Sequence, residues 1–242
     1  MYDFIKSKET IVSILNSPTK IVVKDKIPAS DGEFTYSNGI KTGVGALFVD
    51  IVESSQLFAD ANEDTARIMR CFCSEIIAIL RDDPNYREIG IRGDCVYCIY
   101  TADYQLDLVK IFKHAYRINS FMEMFNKLLC KYGYPQVQAG IGLGADIDLI
   151  IKAGQSGSGI NDKIWIGKAV VDAAHLSELA NRNGIYPIAM SPVFYGNVIE
   201  HLTSENANYK DWIKPNTPYG IADFYHCEII EIGFSDWINK EV

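Results

Sequence analysis

The sequence lacks any apolar run long enough to cross a membrane. A spanning helix needs about 18 consecutive apolar residues, and no stretch of this chain approaches that length. The N-terminal segment MYDFIKSKETIVS has no apolar centre of signal-peptide length. We therefore expect a cytoplasmic protein with no membrane partner. Thiols stay reduced in that compartment, so the same expectation excludes a framework of disulfides.

Positive charge is also scarce. The 242 residues include 23 Lys and Arg against 31 Asp and Glu, a formal charge of −8, and contain no long basic run. This excludes a broad surface for nucleic acid, because such surfaces depend on clustered Lys and Arg. Apolar residues make up 48% of the chain, which excludes global disorder. A phosphate-rich ligand must be held locally, by metal ions or helix ends.

The cysteines lack a metal-binding pattern. Cys95 and Cys98 form a CxxC within DCVYCIY, an apolar run typical of a strand, on which the two thiols point to opposite faces. No second CxxC or nearby His pair completes a zinc set. We expect buried structural cysteines throughout, at Cys71, Cys73, Cys95, Cys98, Cys130 and Cys227.

Hydrophobic patterning predicts one α+β domain over residues 42–185, with an N-terminal extension (1–41) and C-terminal additions (186–242). The order of its elements is strand, helix, strand, strand, helix, strand, which is the split βαβ pattern of ferredoxin-like folds. The extension is expected to hold a short helix, KETIVSILNS, and an extended piece, KIVV. The additions look irregular except for one late strand, FYHCEIIEIG.

Within the domain, the run GALFVDIV indicates a buried strand, and Ser54 or Ser55 is expected to cap the long helix that follows. Two strands surround a tight turn at Arg92-Gly93, and a second long helix covers residues 104–131. The strand QVQAGIGLGAD, the mobile loop GQSGSGIN, the strand KIWIG and the helix KAVVDAAHLSELANR follow. Asn183-Gly184 ends that helix.

Two acidic residues occupy positions suited to chemistry. Asp50 lies near the end of the first buried strand, and Asp94 lies at the start of the second strand of the central hairpin. Adjacent antiparallel strands bring both carboxylates to one edge of the sheet, where they need a cation to stay ionised together. Hard oxygen ligands favour Mg²⁺ or Mn²⁺. A strand-end cap at Asp50 and a turn residue at Asp94 are the structural alternative.

The turn after Asp50 adds a possible phosphate site. Residues Val52 to Gln56 are expected to present free backbone N–H groups at a helix N-terminus, and the hydroxyls of Ser54 and Ser55 can donate as well. A nucleoside triphosphate suits a pair of metal ions beside such a turn.

At four blocks the chain resembles the class III nucleotide cyclases. LFVDIVESSQL is similar to their first metal-binding strand and phosphate turn, and IGIRGDCVY is similar to their second metal-binding hairpin. AGIGLG resembles the strand that follows, and IWIGKAVVDAAHL resembles their substrate helix. The blocks occur in family order over about residues 43–180.

The resemblance implies a class III cyclase fold and a nucleotide cyclisation, in which the ribose 3′ oxygen attacks the α-phosphorus and pyrophosphate leaves. Asp50 and Asp94 would bridge two divalent ions, Mg²⁺ or Mn²⁺, and the Ile51 carbonyl would complete one coordination shell. The expected assembly is a head-to-tail homodimer with the nucleoside triphosphate sites at its interface.

The departures from the family pattern concern the base and the transition state. Gly90 stands where purine cyclases carry the Lys that reads adenine, and Val171 and His175 stand where the family has its transition-state Asn and Arg. The other base-reading position falls near Asp162. The pattern most resembles the bacterial pyrimidine cyclases of the Pycsar antiphage systems, which make cyclic UMP or cyclic CMP and imply a downstream effector that senses it.

Positive charge for the developing equatorial oxygens is expected from Arg92, Lys168 and His175, or from a second subunit. Arg92 ranks first for contact with base or phosphate because it adjoins the metal hairpin. Its ability to donate to a carbonyl favours UTP over CTP. A solvent-facing turn residue at Arg92 and a surface histidine at His175 are the alternatives.

Two other functions stay open. A degenerate cyclase domain would bind nucleotide or a partner without turnover, and a purine cyclase would read ATP or GTP with other residues. Lys152, Lys163 and Arg182 are expected to be ordinary surface charges. The late aromatic residues are expected to pack within the C-terminal additions, at Tyr209, Trp212, Tyr219, Tyr225 and Trp237.

Overall fold

The computed structural model describes residues 1–217 and 223–242. Its helices are α1 (Phe4–Asn16), α2 (Ser54–Leu57), α3 (Glu63–Leu80), α4 (Gln105–Lys131), α5 (Lys168–Leu179), α6 (Pro192–Glu205), α7 (Tyr209–Trp212) and α8 (Ile232–Glu241). Its strands are β1 (Lys20–Val23), β2 (Asn38–Ile51), β3 (Tyr86–Arg92), β4 (Cys95–Thr101), β5 (Ala139–Gly154), β6 (Asn161–Ile166), β7 (Ile188–Met190), β8 (Lys214–Asn216) and β9 (Phe224–Cys227).

The predicted fold class is confirmed by the central sheet. β2, α3, β3, β4, α4 and β5 follow one another as predicted, and their strands lie in the order β3-β4-β2-β5 with antiparallel neighbours. β7, β9 and β8 continue the sheet beyond β5, while β1 pairs with β2 and β6 pairs with β5. None of the helices in the described ranges is both long and apolar enough to span a membrane.

Different layers cover the two faces of the sheet. On β2, the side chains of Leu47, Val49 and Ile51 point to one face, where they form the main core with α3, α4 and α6. Because side chains alternate along a strand, Phe48 and Asp50 point to the opposite face. That opposite face carries α5.

A stripe of glycines on β5 lets α5 lie directly on the sheet. A Cβ at Gly142 would lie 2.0 Å from the carbonyl oxygen of Ala173, and a Cβ at Gly140 would lie 2.3 Å from that of Ser177. Backbone and side chain never approach so closely, so only glycine permits this contact. Since Gly140 pairs with Asp50, the packing brings the C-terminal end of α5 beside Asp50.

The N-terminal end of α5 is held by a buried carboxylate. Its N-cap, Gly167, has no side chain to accept a hydrogen bond, and the fully buried Asp148 of β5 accepts one from the Ala169 N–H at 3.4 Å. Burial raises the pKa of Asp148, and the helix N–H groups oppose that rise. Helix α5 is thus positioned at both ends by β5.

The two helices beside the site differ in extent from their predictions. Ser54 starts only the four-residue α2, and the long helix α3 begins at Glu63, capped by Asn62, whose side chain accepts from the Thr65 N–H at 2.9 Å. The prediction of a Ser54 or Ser55 cap for the long helix is therefore wrong. Helix α5 ends at Leu179, three residues earlier than predicted, which leaves residues 180–182 in an irregular turn.

The C-terminal additions are more regular than predicted. The short strand β7 runs parallel to β5, and β9 and β8 follow, so three strands replace the single late strand. Of the aromatic residues expected to pack there, Tyr209 contacts Phe112 of α4 with ring centroids 6.3 Å apart, and Tyr225 stacks on Tyr195 at 3.6 Å. Tyr219 lies outside the described residues. The boundaries at residues 42 and 186 stay a prediction.

The cysteines only partly match their prediction. Cys98 and Cys227 are buried, but Cys71 and Cys130 are exposed, because they lie on the outer faces of α3 and α4. The prediction of buried cysteines is wrong for these two. Cys73 and Cys95 are partly buried.

Replacing Gly142 tests the packing of α5. Gly142→Ala places a methyl group against the Ala173 carbonyl, so we expect the free energy of unfolding to fall by about 2 kcal/mol or more. The matched control is Gly196→Ala in α6, where no atom lies within 4 Å of the new Cβ. Its stability should stay equal or rise by up to about 1 kcal/mol. Equal urea midpoints for the two variants would contradict this packing.

Candidate active site

Asp50 is the penultimate residue of β2 and lies on the face that α5 covers. Its side chain is only 16% exposed. Burial raises the pKa of Asp50, and the negative charge of Asp94 raises it further, whereas Arg182 opposes the rise. The two carboxylates are therefore close enough for their charges to interact.

Asp94 lies in the turn between β3 and β4. Gly93 has a φ of +61°, in the left-handed region that favours glycine, and β4 begins at Cys95. The turn residues are therefore Gly93 and Asp94, one position later than predicted, and Asp94 precedes the strand instead of starting it. The register of β2 and β4, continued by one residue, brings Cys95 beside Asp50.

The prediction that Arg182 is an ordinary surface charge is wrong. Its Nη2 donates to Asp50 Oδ2 at 2.8 Å and to the Ile51 carbonyl at 3.1 Å. Its Nη1 donates to the carbonyls of Ser177 and Ala180, both at 3.0 Å. A basic residue just beyond a helix commonly binds the last carbonyls, so the Arg in ANRNG after α5 was the available sequence signal.

The oxygen atoms gathered here suit a hard divalent cation. Asp50 and Asp94 supply carboxylates, and the Ile51 carbonyl points to the same place, since one guanidinium nitrogen reaches both it and Asp50. Mg²⁺ and Mn²⁺ prefer such ligands and keep further positions for water or phosphate. Across residues 1–217 and 223–242, no group of three or more His, Cys, Asp and Glu side chains suits a metal. The two carboxylates and the carbonyl supply only part of an octahedral shell, which leaves positions for water or a substrate.

The turn after Asp50 differs from the predicted helix N-terminus. The Val52 N–H is not free, because it donates to the Gln138 carbonyl at 2.8 Å, and α2 is only four residues long. Glu53 has a φ of +54°, a left-handed conformation that is uncommon for a residue with a side chain. Ser54 and Ser55 follow this tight turn directly. A hydroxyl contact from these two residues to phosphate stays a prediction.

A cavity of about 930 Å³ opens beside this turn and Arg182. It is lined mainly by polar side chains from the turn, the start of α3, the segment before β5 and the segment after α5. Its acidic lining residues are Glu53, Asp60 and Asp64. The volume is sufficient for a nucleotide-sized ligand.

The hairpin of β3 and β4 forms a flat aromatic surface on the Asp50 face. A Cβ at Gly90 would lie 2.5 Å from the ring of Tyr97, so Tyr97 occupies the space above this glycine. The Tyr97 ring stacks on Phe48 with centroids 5.1 Å apart, and its hydroxyl donates to Glu88 at 2.9 Å. Burial and this acidic neighbour raise the pKa of Tyr97 to about 12, and the nearby Arg92 opposes the rise.

Lys163 is also more than a surface charge. Its ammonium lies 3.1 Å from Asp31 and 3.7 Å from Glu88, and its side chain is mostly buried. It joins the N-terminal extension to β3, and the prediction of an ordinary surface lysine is wrong here. Lys152 lies over the ring of Tyr36, 5.6 Å from its centroid.

Comparison with known proteins identifies the family. A uridylate cyclase from Treponema porcinum is 40% identical over 242 residues, which cover 99% of this chain and 82% of that protein. This chain belongs to the uridylate cyclase family. A uridylate cyclase from Gulbenkiania mobilis is 28% identical over 250 residues and matches 99% of this chain and 96% of its own length. No protein-family profile matches the chain.

The fold is that of the class III cyclases. The crystal structure of the adenylyl cyclase CyaB from P. aeruginosa superposes with a TM-score of 0.60 and 17% identity, over 78% of this chain and 95% of that one. The chain is therefore a nucleotide cyclase, an enzyme of the phosphorus–oxygen lyases. Class III cyclases generally use divalent metal ions, and the oxygen atoms at Asp50 would suit such an ion.

Two other predicted site residues, Lys168 and Asp162, lie far from Asp50 within one chain. Glu178, near the end of α5, is close enough to raise the pKa of Asp50, but Lys168 lies ten residues earlier, about 15 Å along the helix axis. Val171 and His175 lie between them on the exposed side of α5. Asp162 pairs with Ala153 of β5, roughly 40 Å along the strand from Asp50.

Thiol labelling tests the surroundings of Asp50. Burial first, and then the charges of Asp50 and Asp94, raise the pKa of Cys95 to about 12, so this thiol stays protonated at pH 8. We expect iodoacetamide to modify the exposed Cys71 and Cys130 well before Cys95, as read by peptide mass spectrometry. Labelling in denaturant, where all thiols react, is the control. Equal rates for Cys95 and Cys130 in the folded enzyme would contradict this environment.

Proposed function

We propose that this enzyme converts UTP to 3′,5′-cyclic UMP and pyrophosphate. The observation that carries the proposal is the meeting of Asp50, the Ile51 carbonyl and the Asp94 charge at one end of the sheet, in a chain with two relatives named uridylate cyclase. CTP is the second pyrimidine candidate, because it differs from UTP at one edge of the base.

Asp50, Asp94 and the Ile51 carbonyl would hold two divalent ions, Mg²⁺ or Mn²⁺. Once bound, the ions supply the positive charge that activates the ribose 3′ hydroxyl and holds the triphosphate. Asp50 is also buried enough to limit competition from water. The turn at Val52 borders the cavity in which the phosphates would lie, and Ser54 and Ser55 follow that turn in the chain.

The hairpin surface supports a pyrimidine substrate. The ring of Tyr97 fills the space at Gly90 from which a purine-reading Lys would extend. The stacked pair of Phe48 and Tyr97 offers a flat surface for a base. Arg92, at the end of β3, would donate to a carbonyl of uracil.

The distances along α5 support a shared active site. Lys168 and Asp162 lie far from Asp50 of their own chain, so they would act on a substrate bound at the Asp50 and Asp94 of a second copy. We therefore include a homodimer with composite sites in the proposal. Lys168 and His175 would supply positive charge to the phosphates there.

A role in antiphage defence, with cyclic UMP as a signal for a downstream effector, belongs to this proposal through the resemblance to the Pycsar cyclases. The alternative is a cyclase-fold domain that binds nucleotide without turnover. Val171 and His175 favour this alternative, because they stand where the family has an Asn and an Arg. A purine cyclase is the remaining alternative, and product analysis distinguishes the three.

Incubation with each of the four nucleoside triphosphates and Mn²⁺ tests the reaction. We expect cyclic UMP as the main product by mass spectrometry, and a loss of at least about 100-fold in Asp50→Asn and Asp94→Asn, because each variant removes a metal-binding carboxylate. Asp236→Asn, at an exposed position of α8 outside the cavity lining, is the matched control and should retain activity. Cyclic AMP or cyclic GMP as the main product, or no cyclic product, would refute the proposal.

Arg92→Ala tests the choice of base. Loss of a donor to a uracil carbonyl should lower the preference for UTP over CTP by about tenfold in kcat/KM. Arg81→Ala, a basic residue at the C-cap of α3, serves as the control. An unchanged preference in Arg92→Ala would remove Arg92 from base recognition.

Mixing two inactive variants tests the composite site. Asp50→Asn and Lys168→Ala damage different halves of each site, so random heterodimers keep one intact site and should restore about a quarter of wild-type activity. Each variant alone is the control. No recovery after mixing, with dimers present by light scattering, would mean that both residues act within one chain.

A further inference from the structure

We propose that Arg182 is a substrate-contacting cation of this active site. Before metal ions bind, it donates hydrogen bonds to the Asp50 carboxylate and the Ile51 carbonyl. After the ions coordinate those oxygens, it contacts the phosphates of the substrate. The inference rests on the proposed function, since both roles concern the site at Asp50. The class III pattern has an Arg on the substrate helix, and this chain has His175 at that position. The inference assigns a guanidinium just beyond α5, that of Arg182, to the same site.

The hydrogen bonds of Arg182 compete with a metal ion. Its Nη2 bonds at 2.8 Å to Asp50 Oδ2 and at 3.1 Å to the Ile51 oxygen, which are the atoms suited to the ion. A guanidinium and a divalent cation repel each other, so Nη2 and the ion compete for these oxygens. We infer that binding of the ion displaces Nη2 from Asp50.

The other half of the guanidinium keeps Arg182 beside the site. Its Nη1 donates to the Ser177 and Ala180 carbonyls at 3.0 Å, where the C-terminal end of α5 carries partial negative charge. These bonds do not involve the metal-binding oxygens. A displaced Nη2 thus stays within reach of a ligand in the adjoining cavity.

The adjoining cavity is where the displaced guanidinium would meet the substrate. Its lining includes Glu53, Asp60 and Asp64, and Arg182 is the single cationic side chain among the lining residues that the structure describes. A triphosphate beside the turn at Val52 meets repulsion from these acids. A guanidinium offers paired N–H donors that match phosphate oxygens, so Arg182 is suited to oppose this repulsion.

Binding of Mn²⁺ to the nucleotide-free protein tests the first role. In Arg182→Gln the competing cation is absent, so the dissociation constant for Mn²⁺, measured from the electron paramagnetic resonance signal of the free ion, should fall about tenfold (~1.4 kcal/mol). Arg182→Lys keeps the charge and should stay within about threefold of the wild type. Arg70→Gln, an exposed site on α3, is the charge-matched control and should change nothing.

Binding of 3′-deoxy-UTP tests the second role. This analogue lacks the attacking hydroxyl, so its dissociation constant at saturating Mn²⁺ reports binding without turnover. We expect affinity to fall about tenfold in Arg182→Gln and to recover in large part in Arg182→Lys. The two expected changes have opposite signs, which a general loss of folding cannot produce.

An unchanged or weaker Mn²⁺ affinity in Arg182→Gln, or an unchanged affinity for 3′-deoxy-UTP, would overturn the inference. A lower melting temperature with neither affinity altered would reduce Arg182 to a cap for α5, and would overturn it as well. Absence of cyclic UMP from the wild type would instead refute the proposed function. The Mn²⁺ measurement needs no nucleotide. In that case it still tests whether Arg182 competes with the ion for Asp50.

Discussion

Repulsion between two carboxylates at a half-buried end of the sheet is the constraint on which the site depends. Asp50 comes from β2 and Asp94 from the turn that precedes the neighbouring strand β4, and burial together with the Asp94 charge raises the pKa of Asp50. Such a pair is stable in its ionised form only beside positive charge. Arg182 supplies that charge in the chain alone, and divalent ions would supply more of it with the substrate.

The glycine stripe of β5 determines where Arg182 lies relative to Asp50. Because Gly140 and Gly142 allow α5 to lie on the sheet, the helix ends beside Asp50, and the turn after it carries Arg182 to the carboxylate. The same packing leaves Lys168, at the other end of α5, about 15 Å along the helix axis from Glu178. One contact between a helix and a strand thus accounts for the local counter-charge at Asp50.

Much of the catalytic core could be predicted from the sequence, because short alternating or apolar runs define β2, β4 and β5, and Asp50 and Asp94 stand at the ends of such runs. Arg182 could not, since its partner Asp50 lies 132 residues away and the contact depends on α5 ending at Leu179. The later start of α3 follows from Asn62, whose side chain caps this helix, whereas α2 has no side-chain cap at its own start. The three-residue strand β7 is too short for any periodicity to reveal.

The central claim is that Asp50 and Asp94 share the ions that bind the triphosphate. Anomalous diffraction from crystals grown with Mn²⁺ and 3′-deoxy-UTP tests it most directly, because manganese atoms are located independently of the protein. The account predicts two manganese peaks within coordination distance of both carboxylates, in contact with the phosphates. Manganese bound elsewhere, or a triphosphate held without any ion at Asp50 and Asp94, would contradict it.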